Sequence, residues 1–283
     1  MSVAVKVQAN DFGAIVTGFN LRDLSDSDIR RIRELWLRYQ VLAFPDQPLE
    51  HEQLLNFTRT LGKFGEEPYV APLRNQQHIL EIRREPSEAI SPFGASWHSD
   101  WSFQERPPAA TILHAKIIPP VGGDTLYSDG YAAFAALSHE QQQHLKTLTG
   151  IHSARRPYSH EGFKAGGGED RSMTILPSES AWATIEHPLV RTHPETGRDA
   201  LWVNSVYTIG IKGLVEDEAQ PLLQGLFEHA TSERFVYRHR WQENMLTIWD
   251  NRSVQHCAQG GYDGYRRVLH RTTVAGDRPF VRA

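Results

Sequence analysis

The chain has 283 residues, 40% of them hydrophobic and 23% charged, a composition that fits one large globular domain or two small ones and excludes a fibrous or bulk-disordered protein. Thirty basic residues against 34 acidic ones give a net charge of −4, so neither nucleic acid nor an anionic membrane is expected as a partner. The single cysteine, Cys257, excludes an internal disulfide framework and multi-cysteine zinc sites, whereas 14 histidines leave imidazole and carboxylate as the donors for any metal chemistry.

Residues 1–12 hold no basic stretch followed by an apolar run, and no apolar stretch approaches the roughly 20 residues that span a bilayer, so a soluble, cytoplasmic protein is expected. Ser25 or Ser27 can cap a first helix in which Ile29, Ile32, Leu35, Trp36 and Tyr39 recur every three or four residues. After a short β-type run at 41–44, a second helix is expected over 50–61, with Leu54, Leu55, Phe57 and Leu61 on one face and Gly62 as its stop. Further β-type runs fall at 79–82, 111–118 and 201–203, and again at 245–249 and 268–274. Between them, the loosest tract is 162–180, with Gly166-Gly167-Gly168 and Pro177, and it reads as a lid or insertion around 155–182 within one domain covering 1–283. A third helix is expected near 216–229, carrying Leu222, Leu223, Leu226 and Phe227. Helices do not alternate strictly with strands, which favours a β-barrel or sandwich with helices packed outside over a doubly wound parallel sheet.

His98-Ser99-Asp100 places an imidazole and a carboxylate two residues apart, hence on one side of an extended segment. Alone this means little: the histidine and acid content predicts roughly 1.7 such triplets by chance. A second one, His193-Pro194-Glu195, reads as a surface turn. A facial triad of two histidines and one carboxylate needs a further histidine from far along the chain. His256 stands out among the candidates, since it follows the strand-like 246–250 run and precedes an arginine-rich strand. In that strand Arg267, Leu269, Arg271 and Thr273 share one face, Arg267 and Arg271 lying about 13 Å apart. Two inward arginines would be costly to bury unless each met an anion; an edge strand with both solvated is the alternative.

Several strings, in order, resemble the taurine dioxygenase/2,4-D dioxygenase (TauD/TfdA) family of Fe(II)- and 2-oxoglutarate-dependent oxygenases. They are Trp97-His98-Ser99-Asp100, Gly122-Gly123-Asp124-Thr125, the run from His187 to Pro194, and Trp249-Asp250-Asn251-Arg252 through His256 to Arg267 and Arg271. The resemblance covers nearly the whole chain. It implies a mainly β fold, a double-stranded β-helix (jelly-roll, cupin-like) with flanking helices. It also implies that His98, Asp100 and His256 bind iron, that Thr125 and Arg267 hold the distal carboxylate of 2-oxoglutarate, and that Arg271 faces the substrate's anionic group. The implied reaction is hydroxylation by O2 of a small organic anion, such as a sulfonate, an alkyl sulfate ester or an aryloxyalkanoate, with 2-oxoglutarate converted to succinate and CO2. A homodimer or homotetramer is the implied assembly.

The chain departs from the taurine pattern. Tyr69-Val70-Ala71-Pro72 stands where that pattern has a pocket histidine, and Gly94 stands where it has an asparagine. Trp101 and Tyr207 as pocket residues suit an apolar or aromatic substrate body with an anionic tail; as core aromatics they would say nothing of the substrate. An amino acid or other carboxylate metabolite is the alternative substrate. A metal-binding β-barrel without catalysis is the alternative from a different class.

Overall fold

In the computed structural model, which describes residues 3–282, the strand Val41–Phe44 divides its side chains between two layers. Leu42 and Phe44 pack against the helices Asp26–Tyr39 and His51–Leu61, while Val41 and Ala43 point the opposite way, toward a second sheet. The strand belongs to an eight-stranded sheet ordered Ala4–Val7, Ala14–Thr17, Val41–Phe44, Leu246–Asp250, Ala110–Ile117, Arg267–Val274, Gln76–Arg84, Pro72–Leu73. All neighbours are antiparallel except Ala14–Thr17 and Val41–Phe44. The same alternation runs through the central strands: Ile112, Ile248 and Val274 face the helices, and Leu113, Trp249 and Leu269 face inward. Opposite that inner face lies a three-stranded sheet, Val236–His239, Thr125–Asp129 and Val254–Ala258, which contributes Tyr127, Tyr237 and Val254 to the shared core. Fully burying each such side chain stabilises the fold by about 1.5–3 kcal/mol. A mostly β architecture with flanking helices is thus the observed one.

The first helix begins where its capping residue sits. Ser25 accepts from the Asp28 backbone N–H while the Asp28 carboxylate takes the Ser25 N–H, and Ile32, Leu35, Trp36 and Tyr39 are buried. The second helix ends at Gly62, whose backbone is extended; a Cβ there would press on Val274, so glycine is needed for close packing. A third helix, Glu216–Ala230, packs on a separate core with Leu189, Val190, Leu201 and Ile211. The stretch 155–182 forms short helical turns, Arg155–Tyr158, His160–Ala165, Gly168–Asp170 and Glu179–Trp182, and Tyr158, Met173 and Ala181 pack on Tyr69, Trp101 and Tyr207.

The structure corrects two expectations. The strand expected at 201–203 is Asp199–Leu201, paired in a hairpin with Val190–Thr192. His193 lies in a turn, but its ring is fully buried and its Nε2 meets Asp250 Oδ2 at 3.0 Å, so only Pro194 and Glu195 keep the expected surface character. Asp250 also binds Arg252, which reaches Glu195, so the turn is tied into a buried ionic network.

Candidate active site

His98 and His256 are set opposite each other by the backbone. Their N–H groups donate to each other's carbonyls at 3.1 and 2.8 Å, forming an isolated antiparallel bridge. The two rings lie 4.1 Å apart, and both Nε2 atoms face Asp100 Oδ1, at 3.6 and 4.0 Å. His98, Asp100 and His256 form the one group of three or more potential metal donors among the described residues, with donor atoms within 4.8 Å of one another.

The surroundings prepare these donors. His98 Nδ1 donates to the Ser96 carbonyl at 2.7 Å, which fixes the tautomer and leaves Nε2 with a free lone pair. Burial, reinforced by neighbouring His98, holds the His256 pKa well below the usual imidazole value, so this ring is uncharged. Burial would raise the Asp100 pKa, but the Arg271 guanidinium beside it leads the effects that hold it well below the usual carboxylate range, so the carboxylate stays ionised. Its other oxygen accepts from Thr111 Oγ1 at 2.6 Å, and Thr111 is held in turn by Asn251 Nδ2 at 2.8 Å. Trp101, immediately after Asp100, has φ +47°, a left-handed conformation rare for a bulky residue; its Nε1–Glu67 bond of 2.6 Å and its burial hold it there.

Arg267 and Arg271 both point to this inner side, as the alternation along their strand requires, and both are buried. The strand lies between Ala110–Ile117 and Gln76–Arg84, which removes the solvated-edge alternative. Arg267 donates from Nη2 to the Gly123 carbonyl at 3.2 Å, and its Nε has no partner among the described residues. Thr125 accepts from Trp241 Nε1 at 3.0 Å, which leaves the threonine proton free to donate elsewhere. Thr125, Arg267, Arg271, His98 and His256 line one narrow recess.

A larger cavity of about 270 Å³ shares Phe93, Gly94 and His98 with that recess. At Gly94, φ is +76° and a Cβ would stand 3.3 Å from the His98 ring, so glycine keeps the threshold between the two spaces open. Tyr207 lines the larger cavity; Trp101 lines neither space and lies behind Arg271, its ring 5.1 Å from the guanidinium.

Glu67 had no place among the sequence candidates. Its side chain is 10% exposed, meets Arg271 Nε at 3.4 Å and accepts from Trp101 Nε1 and from Thr273 Oγ1 at 2.9 Å. Burial raises its pKa, an effect that Arg271 opposes. Glu67 stands in the run Glu66-Glu67-Pro68, and only the fold brings it to residues 101, 271 and 273.

The sequence profile described as "Taurine catabolism dioxygenase TauD, TfdA family" matches residues 4–273. The chain is 33% identical over 293 residues to an alpha-ketoglutarate-dependent 2,4-dichlorophenoxyacetate dioxygenase of Cupriavidus pinatubonensis, covering 98% of this chain and 99% of that protein. It is 32% identical over 272 residues to an (S)-phenoxypropionate/alpha-ketoglutarate-dioxygenase of Sphingobium herbicidovorans, covering 94% and 92%. The crystal structure of a putative alpha-ketoglutarate-dependent taurine dioxygenase from Burkholderia xenovorans superposes with a TM-score of 0.82 at 32% identity, covering 98% of this chain and 91% of that one.

Proposed function

The chain belongs to the taurine catabolism dioxygenase TauD, TfdA family, and from that we infer that it is a 2-oxoglutarate-dependent dioxygenase that hydroxylates a small organic anion, releasing succinate and CO2. The observation that carries this reading is the shared recess. His98 and His256, two of three convergent donors of the two-histidine, one-carboxylate type, line it together with Arg267, a buried cation with an N–H that has no partner among the described residues.

The residues fit the cosubstrates. His98, Asp100 and His256 would hold Fe(II), since two imidazoles and one ionised carboxylate suit that ion and leave positions open. Arg267 and Thr125 would take the distal carboxylate of 2-oxoglutarate, the guanidinium through Nε and the hydroxyl through its free proton. When bound, iron with 2-oxoglutarate and O2 supplies the oxidising power for attack on a C–H bond. The chain's own part is to orient and exclude. Ser96 and Thr111 fix the ligand atoms, and Arg271 keeps Asp100 charged while its unpartnered Nη2 offers one donor to the substrate. Phe93, Tyr158, Phe163 and Tyr207 give the larger cavity an apolar wall suited to an aromatic or alkyl body. Relatives named for phenoxypropionate and 2,4-dichlorophenoxyacetate support an aryloxyalkanoate in that space; relatives named as a putative sulfonate dioxygenase, an alkylsulfatase and a sulfate ester dioxygenase keep sulfonates and alkyl sulfates within the class.

We read the two facing, mainly antiparallel sheets as the family's double-stranded β-helix, the chain as a single dioxygenase domain, and 155–182 as its lid; the packing of Tyr158 and Met173 on Tyr69 supports the last point. No helix among the described residues is long and apolar enough to cross a membrane.

Anaerobic addition of Fe(II) and 2-oxoglutarate is expected to give a weak visible charge-transfer band, and Arg267→Ala to weaken it. Absence of the band in the wild type, together with no succinate from any sulfonate, alkyl sulfate, aryloxyacid or amino acid, would overturn the reading.

A further inference from the structure

The turn Asn251-Arg252-Ser253 joins the strands Leu246–Asp250 and Val254–Ala258, which lie in different sheets, and Asn251 is fully buried in it. Its backbone is tied on both sides: the N–H donates to the Ala109 carbonyl at 2.9 Å, and the carbonyl accepts from Trp202 Nε1 at 2.9 Å. The side chain turns back toward the metal donors. Its Oδ1 accepts from Trp249 Nε1 at 3.0 Å and from the Asp100 N–H at 3.3 Å. Both of those partners can only donate, so the amide has one orientation, and its Nδ2 meets Thr111 Oγ1 at 2.8 Å.

That orientation decides where the threonine proton goes. Asn251 Nδ2 can only donate, so Thr111 accepts from it and sends its single proton to Asp100 Oδ2, at 2.6 Å. A hydroxyl bonded to a charged oxygen among fully buried groups makes a strong contact. Asp100 Oδ1 is held as well, by Arg271 Nη1 at 3.0 Å, and it is the oxygen that both histidine Nε2 atoms face, at 3.6 and 4.0 Å. A carboxylate pinned at both oxygens cannot rotate freely. It presents Oδ1 to the metal donors, and could add Oδ2 only by leaving Thr111.

We propose that Thr111, with its proton directed by Asn251, is a positioning residue that restricts Asp100 to one oxygen on the metal. Two imidazoles and a single carboxylate oxygen then leave three positions of a six-coordinate ion open. The proposal rests on the dioxygenase reading, which needs those positions for its cosubstrates.

The protein loaded with Mn(II) alone tests this without cosubstrate or turnover. Broadening of the Mn(II) electron-spin resonance in water enriched in the magnetic oxygen isotope counts the waters on the ion. Thr111→Val keeps the shape and suits a strand but removes the hydroxyl, whereas Thr111→Ser retains it. The wild type and Thr111→Ser are expected to carry three waters. Thr111→Val frees Asp100 Oδ2 to join the ion and should carry two, lowering the broadening by about one third. Binding of Mn(II) itself shows that each variant is folded. Three waters in Thr111→Val would overturn the proposal, as would two in the wild type or in Thr111→Ser. Failure of the wild type to bind Mn(II) would overturn the metal site and the dioxygenase reading with it, so the two failures remain distinguishable.

Discussion

Arg267 and Arg271 stand on the same face of one strand, four residues apart and both buried, yet the fold prepares them in opposite ways. Arg267 has a carbonyl and two aromatic rings about it, Trp241 at 5.9 Å and Tyr262 at 5.8 Å, and no ion pair among the described residues. Burial lowers its pKa. Arg271 is buried as deeply, but Asp100 and Glu67 outweigh that effect and raise its pKa. A buried cation without a counter-charge is an expense that a folded protein carries only where a ligand will supply the anion. A buried cation with two carboxylates is part of the scaffold. Residue type and strand position are the same; what differs is the loop that each side chain meets.

The largest effect should come from removing the compensated arginine. Arg271→Ala leaves Glu67 and Asp100 facing each other in a buried site, and a loss of about 3–5 kcal/mol in the metal-free protein is expected from equilibrium unfolding. The loss should grow with pH. Glu67 already has a raised pKa and, without Arg271, escapes the penalty only by binding a proton that the unfolded chain does not hold, so the folded state is favoured as pH falls. A variant as stable as the wild type at all pH values would show that Arg271 is no scaffold residue.

Glu67→Gln comes next in size. The amide keeps the shape and can still accept from Trp101 or Thr273, but one of its donors must then face another donor. Relief of the buried charge offsets part of this, giving an expected loss of about 1–3 kcal/mol. Combined with Arg271→Ala, the two losses should fall well short of additive, since each variant disrupts the same pair. Additive losses in the double variant would mean that the pair is not coupled.

Much of this scaffold was legible in the chain. The helices at 26–39 and 51–61 follow from three-and-four periodicity and their caps, and the inward face of Arg267, Leu269 and Arg271 follows from strand alternation. The strands Thr125–Asp129 and Val254–Ala258 were not, because Ser128, Asp129, Gln255 and His256 replace the apolar alternation with polar groups that find their partners only in the folded site. His98 and Asp100 are legible as a local pair. His256 stood out by its place before the arginine-rich strand, and the family resemblance assigned it to the same site, but the meeting itself depends on a backbone bridge across 158 residues. Glu67 was hidden for the same reason: its partners are 34, 204 and 206 residues away. His193 was misread because its partner Asp250 lies 57 residues on, so nothing local distinguishes it from a surface histidine.

The smallest effect on stability should come from Arg267→Ala, which makes it the sharpest test of the comparison. Removing an uncompensated buried cation gives back its desolvation cost while losing one hydrogen bond to Gly123 and the packing of the side chain's methylenes. These terms oppose each other, so the metal-free variant should unfold within about 1 kcal/mol of the wild type. The difference should appear when ligand is added. Saturating the metal-loaded wild type with 2-oxoglutarate at a hundred times its Kd raises stability by about 2.7 kcal/mol through mass action, and the same concentration should give Arg267→Ala little of that gain. If Arg267→Ala instead lost as much stability as Arg271→Ala before any ligand was present, Arg267 too would be scaffold, and the contrast between the two arginines would disappear.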